Sequence, residues 1–313
     1  MKLSIIIPVR GSPNELWFTL QSLCIHQSVR EHGDVEIIVA DNDPVIPRGK
    51  KVNQAEDIVR GLNLGDRARW IDAHHVKSPY YPRDTGAAHA TGDWLLFLDS
   101  HVLLSPGFIA GLLDDLYGYH PETITHYPVT FRYPTRKYGH YDLESVMTTT
   151  FWGLWKHLAR NTDTPYPIGA SGIWAYCVRR DFYEFIGGFN PHFEGYSGGE
   201  PYLDLKAWNL GAGVFLDPRR HGAHWSGPRS YSANYKDRVR NFALAVSVVA
   251  PRHVLTLEGH YKRALPTHRM EVPGWIEEGR RLGEREAKDF AGRRRFATHD
   301  SLVEHWRATG VAF

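Results

Sequence analysis

Apolar residues in this chain gather in short runs, separated by polar turns and by stretches with helical spacing. Leu3–Val9 is one such run, closed by Arg10, Gly11, Ser12 and Pro13. Residues 35–40 form a second, ending in Asp41-Asn42-Asp43-Pro44, and Arg69-Trp70-Ile71 a third. Trp94–Leu98 is a fourth, set between Thr91-Gly92-Asp93 and Asp99-Ser100-His101. The unbroken run Trp94–Leu98 predicts a strand buried on both faces, as in a parallel sheet covered by helices, and the other three read as strands beside it. Between them, Leu16, Leu20 and Leu23 give residues 14–26 a helical period, and residues 53–62 and 83–90 read as further helices. Strand and helix alternate, which is the signature of βαβ units.

The second half is less regular. A helix is expected over 108–117, after Ser105-Pro106-Gly107. Residues 120–142 are rich in Pro, Tyr and Arg and read as irregular or β-like; residues 143–160 have helical spacing with Phe151, Trp152 and Trp155. A glycine-rich run at 167–178 leads into a strand. Helices follow at 180–186, stopped by Gly187-Gly188, and at 202–210, stopped by Gly211. Residues 214–216 predict a short strand, and 235–249, 275–292 and 301–308 predict helices. The expected organisation is an α/β unit over 1–232, with halves at 1–101 and 102–232, and a helical extension over 233–313.

The chain has 313 residues with 42% hydrophobic and 23% charged content, enough to bury a full core. A formal charge of +2 neither announces a nucleic-acid binder nor excludes one with a local patch. Two cysteines, Cys24 and Cys177, are too few for a disulfide framework or a cysteine-rich zinc site, so a reducing compartment is expected. The apolar start of the chain is broken at Pro8 and Arg10, too early for a signal peptide. Residues 242–250 are too few to span a bilayer. A soluble, cytoplasmic protein is the expectation. No Gly-x-Gly-x-x-Gly follows the first strand and no Walker-type lysine loop occurs, which counts against dinucleotide dehydrogenases and P-loop nucleotidases.

Polar and charged residues collect where strands end: Arg10, Asp41, Asp43, Asp99 and His101. In open α/β sheets ligands bind beyond the carboxyl ends of the strands. In an extended segment residues i and i+2 point the same way, so Asp99 and His101 can face one ion. A carboxylate with an imidazole suits a divalent metal such as manganese. The same residues also read as a helix cap and an ordinary loop histidine.

Several segments in order resemble the GT-A glycosyltransferases of the family-2 type: Leu3 to Arg10, Asp41-Asn42, Arg83-Asp-Thr-Gly-Ala-Ala, and Gly92 to His101. Asp-x-His at 99–101 is similar to the polypeptide N-acetylgalactosaminyltransferases. So are Gly187-Gly-Phe-Asn-Pro191, Ser197-Gly-Gly-Glu200 and Gly222-Ala-His224. The resemblance spans roughly residues 3–231. It implies a GT-A (Rossmann-like), mostly parallel sheet flanked by helices, with a nucleotide-binding half and an acceptor half. It also implies transfer from a UDP-sugar with Mn2+ or Mg2+. Animal members carry a membrane anchor and a lectin-like domain. Neither is expected here: the apolar start stops at Pro8 and Arg10, and the last ~80 residues read as helices rather than a lectin-like fold, so a protein acceptor is not carried over.

By this resemblance Asp99 and His101 bind the metal and His224 is the third ligand, with His221 the alternative. Pro8, Arg10, Asp41 and Ser100 would line the donor. Arg83 would reach the base or diphosphate through bidentate contacts, or form a surface ion pair. Asp41 and Asp43 also read as Asx-turn residues before Pro44. Residues 225–231 resemble a loop that closes over the diphosphate, with Trp225, Arg229 and Tyr231 in contact. Glu200 sits where relatives place an acceptor-side carboxylate. Inverting relatives often have Glu-Asp; here Pro201 follows, which leans towards retention. Asp204, one turn on, could substitute as base. A nucleotidyltransferase and a non-catalytic sugar-nucleotide or glycan-binding module are the alternatives. The acceptor stays open among a modified DNA base, a protein hydroxyl, a lipid-linked glycan and a small molecule. Arg293-Arg294-Arg295 keeps nucleic acid among them.

Overall fold

The structure is a computed structural model that describes residues 1–43, 53–75, 78–130, 137–140, 157–225, 234–296, and 301, 304, 305 and 308. The first half follows the apolar runs closely. Strands β1 (Leu3–Val9), β2 (Val35–Asp41), β3 (Ala68–Asp72) and β4 (Trp94–Leu98) alternate with helices α1 (Pro13–Ile25), α2 (Gln54–Gly61) and α3 (Tyr81–His89). β1, β2 and β4 are buried along their whole length; the polar Ser4 and Glu36 inside them satisfy each other through a 2.6 Å hydrogen bond. Pro13 opens α1 where its missing N–H costs nothing. Asn53 caps α2 by accepting from the Ala55 and Glu56 amides.

Beyond β4 come β5 (Val102–Leu104), α4 (Phe108–Asp115), β6 (Thr123–His126), β7 (Val129–Thr130), β8 (Lys137–His140), β9 (His157–Leu158), β10 (Tyr166–Pro167) and β11 (Ala175–Arg179). Helices α5 (Arg180–Ile186) and α6 (Tyr202–Asn209) precede β12 (Gly213–Leu216) and β13 (Gly222–His224). The main sheet has eight strands in the order β10-β12-β6-β11-β4-β1-β2-β3. β1 to β4 are mutually parallel; β11 runs antiparallel to both β4 and β6. A second sheet, β5-β13-β7-β8-β9, stands at the carboxyl end of β4.

Of the two readings left open for 120–142, the β-like one holds at 123–126, a fully buried strand of the main sheet. Two expectations are corrected. The helical reading of 143–160 ends wrongly, since His157–Leu158 pairs with β8 as a strand; its first fourteen residues lie outside the described ones. A helix over Val254–Ala264 (α8) was not foreseen. The other two C-terminal helices, α7 (Tyr235–Val249) and α9 (Val272–Ala291), match their periodic stretches, α9 starting three residues early. Of residues 301–308 only four are described.

α9 lies against α7 on glycines. A Cβ at Gly279 would stand 2.1 Å from the Arg240 carbonyl oxygen, and one at Gly283 2.4 Å from Ser247 Oγ. The C-terminal helices also share a core with the sheet. One apolar cluster runs from Ile6, Phe97 and Tyr176 through Tyr202 and Trp208 to Phe242, Leu244 and Phe290. Among the described residues, no helix is long and apolar enough to cross a membrane.

Candidate active site

β4 delivers Asp99 to the rim, where its amide donates to the Trp174 carbonyl at 2.8 Å. The chain turns through Ser100 and His101 into β5. Thr19 of α1 fixes that turn: its hydroxyl oxygen lies 3.0 Å from the Ser100 carbonyl and accepts from the Val102 amide at 3.0 Å. β13 then returns antiparallel to β5 with His224 opposite Val102, and the Trp225 amide donates to the His101 carbonyl at 2.9 Å. Strand pairing thus brings together residues 125 positions apart. One ligating atom from each of Asp99, His101 and His224 lies within 4.8 Å of the others. The imidazoles meet at 80° with ring centroids 4.4 Å apart, and His224 Nε2 is 3.2 Å from Asp99 Oδ2.

His221 sits at the other end of β13, where its backbone exchanges hydrogen bonds with Ser105. The trio contains His224 and not His221. A charged oxygen donor with two imidazole nitrogens is the donor set of a divalent ion such as manganese.

Arg83 stands behind Asp99. It is 1% exposed, and its guanidinium donates to Asp99 Oδ1 at 2.5 Å and to the Pro79 and Ile173 carbonyls. Its charge is therefore spent on the Asp99 carboxylate and on the loop before β11, under the rim. Burial disfavours the Asp99 charge, but the His224 hydrogen bond and the Arg83 charge outweigh it and hold the carboxyl well below the usual range. Ser100 is buried, with Oγ 3.5 Å from His101 Nδ1.

The neighbouring strand ends form the rest of the rim. Val9 pairs with Asp41 and Asp41 with Asp72, so β1, β2 and β3 stop level. Pro8 lies one residue earlier, paired with Ala40. Asp41 is buried and accepts from the Asp43 amide at 3.0 Å and the Trp70 indole at 3.3 Å; burial pushes its carboxyl up. The Asx-turn reading of Asp41 is thus realised. Arg10 donates to the Asn42 carbonyl at 3.0 Å and lies 3.7 Å from Asp43.

On the acceptor side, Glu200 follows the turn at Ser197, Gly198 and Gly199 and accepts from the Tyr196 hydroxyl at 2.6 Å. Asp204 is 1% exposed, with one oxygen 2.8 Å from His126 Nε2 and the other accepting from the Ser171 amide at 2.8 Å. Both its oxygens are engaged in the interior. Trp225 is 69% exposed beside His101; Arg229 and Tyr231 lie outside the described residues. Residue-by-residue reading missed Thr19, Tyr80 and Asn241. The Tyr80 hydroxyl accepts from the Gly199 amide, and Asn241 binds the Glu194 and Ser197 carbonyls. Their partners lie 44 to 119 positions away, so no local spacing could have flagged them.

Comparison with known proteins bears on the fold and the family. Residues 4–183 match the family described as Glycosyl transferase family 2. Mouse polypeptide N-acetylgalactosaminyltransferase 4 is 26% identical over 289 residues, 87% of this chain and 47% of that protein. The Drosophila melanogaster putative polypeptide N-acetylgalactosaminyltransferase 9 is 25% identical over 67% of this chain and 34% of its own length. The chain therefore spans less than half the length of the curated relatives it matches. Among solved structures, GalNAc-T7 with UDP, GalNAc and Mn2+ superposes with a TM-score of 0.67 at 17% identity, over 94% of this chain and 57% of that one. S. aureus TarS 1–349 with UDP-GlcNAc gives 0.54 at 14%, over 98% and 92%. These likenesses establish the GT-A fold.

Proposed function

Because the chain belongs to glycosyl transferase family 2, we propose that it is a divalent-metal-dependent glycosyltransferase that moves a hexose or N-acetylhexosamine from a UDP-sugar to an acceptor hydroxyl or amine, with retention. The observation that carries this is the convergence of Asp99, His101 and His224 at the carboxyl end of β4. Asp99, His101 and His224 would hold manganese or magnesium. Bound there, the ion would supply Lewis-acid stabilisation of the departing diphosphate.

The chain's own residues do the rest. Pro8, Arg10 and Asp41, with Trp70 beside them, would seat the nucleoside. The ends of β2 and β4 are separated by one strand, about 10 Å, a span suited to a nucleoside at one and its diphosphate at the other. Arg83 keeps Asp99 ionised and fixed, and so acts as a positioning residue. Ser100 shapes the turn. Glu200, supported by Tyr196, would orient the sugar and acceptor. The bond between the sugar's anomeric carbon and the β-phosphate oxygen breaks, and a bond from that carbon to the acceptor atom forms. The acceptor proton leaves with the diphosphate. Asp204 is assigned to bracing the loop at Ser171 rather than to proton transfer, since both its oxygens are engaged. Trp225 and the following Arg229 and Tyr231 would close over the diphosphate and exclude water.

In this reading residues 1–232 carry the chemistry and residues 233–313 brace it. Two buried free cysteines, Cys24 and Cys177, support a reducing, cytoplasmic setting. The test is UDP release from a panel of UDP-sugars, with and without manganese, by the native protein and His101→Ala. Manganese-dependent release from one donor, lost in the variant, supports the assignment. No release, together with no metal-dependent UDP binding by calorimetry, overturns it.

A further inference from the structure

A cavity of about 400 Å³ opens directly beside the metal trio, between the start of α1 and β5. His101 forms part of its wall. Phe18, Val102, Leu103 and Trp225 form most of the remainder, which Asn14, Glu15 and Thr19 complete. Three of these side chains are unusually exposed for their size: Phe18 at 62%, Trp225 at 69% and Leu103 at 49%. Large apolar side chains gathered in one open concavity mark a ligand site more often than chance packing.

Its walls define what fits. The volume lies in the small-ligand range, and a dry cavity of about 150 Å³ already holds a benzene ring, so there is room for roughly two such rings. The described lining residues include no lysine or arginine, and Glu15 contributes a negative charge. A polyanion such as a nucleic-acid backbone would meet the Glu15 carboxylate there and no lysine or arginine among the described lining residues. An uncharged apolar group would meet two aromatic faces and two aliphatic side chains.

We propose that this cavity seats an uncharged aryl or short alkyl part of the acceptor, attached to the group that receives the sugar. The proposal rests on the metal-dependent transfer reading above and narrows its acceptor to a small amphiphile. Continuity with that site is the main argument. His101 is at once a wall of the cavity and a member of the trio, so an occupant's polar end would emerge beside the diphosphate. Trp225, directly after His224, joins the same two places.

The test uses the whole protein with UDP and Mg2+, and benzyl alcohol as the probe, read by saturation-transfer NMR on its ring protons. Phe18→Glu changes an exposed helical position outside the donor site. The expected result is ring saturation in the native protein that falls at least threefold in Phe18→Glu, while UDP affinity by calorimetry stays the same. Phe18→Leu should retain most of the signal, which separates lost apolar contact from lost fold. Phenyl phosphate should give a weaker signal than benzyl alcohol. Ring saturation that is absent, or unchanged by Phe18→Glu, overturns the cavity assignment even where UDP binds normally. So does a stronger signal from phenyl phosphate. Failure of UDP to bind with the metal overturns the donor-site reading instead, and is seen separately in the calorimetry.

Discussion

The side-chain amide of Asn241, on the C-terminal helix α7, donates to the Ser197 carbonyl at 2.9 Å and to the Glu194 carbonyl at 2.6 Å. Asn241 is fully buried, and its oxygen accepts from the Glu194 amide. Ser197 has φ of 100° and Gly198 of 94°, a region that favours glycine, so this turn needs outside support. Glu200 follows two residues later. Asn241→Ala should cost about 1–3 kcal/mol in denaturant unfolding, because buried backbone groups lose their partners. Asn241→Asp should be no better, since both carbonyls need a donor. At temperatures where Asn241→Ala is folded, sugar transfer should fall while UDP and metal affinity hold, because the turn supports Glu200 and not the trio.

His224 and His221 give a discriminating pair. His224→Ala removes a donor from the trio and should weaken manganese binding by more than about tenfold, the lower end of what lesser perturbations around metal sites cost. His221→Ala should leave binding unchanged. Electron paramagnetic resonance titration with manganese reads both. Equal losses in the two variants would refute the choice made by the β5–β13 register.

Arg83 is the buried counter-charge of Asp99. Arg83→Met would leave Asp99 its His224 contact but no guanidinium, and the Pro79 and Ile173 carbonyls without their donor, and should destabilise the fold by about 1–3 kcal/mol in chemical unfolding. Arg83→Lys keeps the charge but cannot span Asp99 and the carbonyls of Pro79 and Ile173 at once. It should lie between the native protein and Arg83→Met in stability and bind manganese more weakly than the native protein. Metal affinity equal to native in Arg83→Lys would deny Arg83 any role in holding Asp99.

The parallel half of the sheet was legible because β1, β2 and β4 are buried on both faces and carry no alternation to confuse the reading. Asp99 and His101 were legible because β4 stops abruptly in polar residues. β6 was legible only as one of two readings, since Thr123-Ile-Thr-His126 is short, half polar and set among Pro and Tyr; its neighbours β11 and β12 decide for the strand. β5 and β13, three residues each, exist because they pair with one another. Arg83 was readable as a phosphate-binding type but not as a buried one, because burial is set by the Ile173 loop ninety positions away. Asp204 was readable as a base but not as a buried, doubly engaged carboxylate, for the same reason. Its His126 and Ser171 partners come from distant strands and loops.

Two carboxyls with opposite shifts predict the pH dependence of stability. Glu36 is buried. Burial alone would raise it, but hydrogen bonds from the Ser4 hydroxyl and from the Thr91 amide and hydroxyl, with the Lys2 charge, lower it to about 2. Asp84 goes the other way. Burial pushes it up to about 7, against the hydrogen bonds of the Tyr183 hydroxyl and the Phe189 amide. For Glu36 the unfolded chain binds its proton more tightly, so its contribution is complete above the ordinary value near 4.5 and is lost as pH falls towards 2. For Asp84 the folded chain holds the proton more tightly. Its contribution is complete below the ordinary value near 3.8 and is lost as pH rises through about 7. Urea unfolding across pH should therefore include an acid limb that Glu36→Gln flattens and a neutral limb that Asp84→Asn flattens. An Asp84→Asn variant whose stability still falls by the native amount between pH 5 and 8 would assign that limb to other groups.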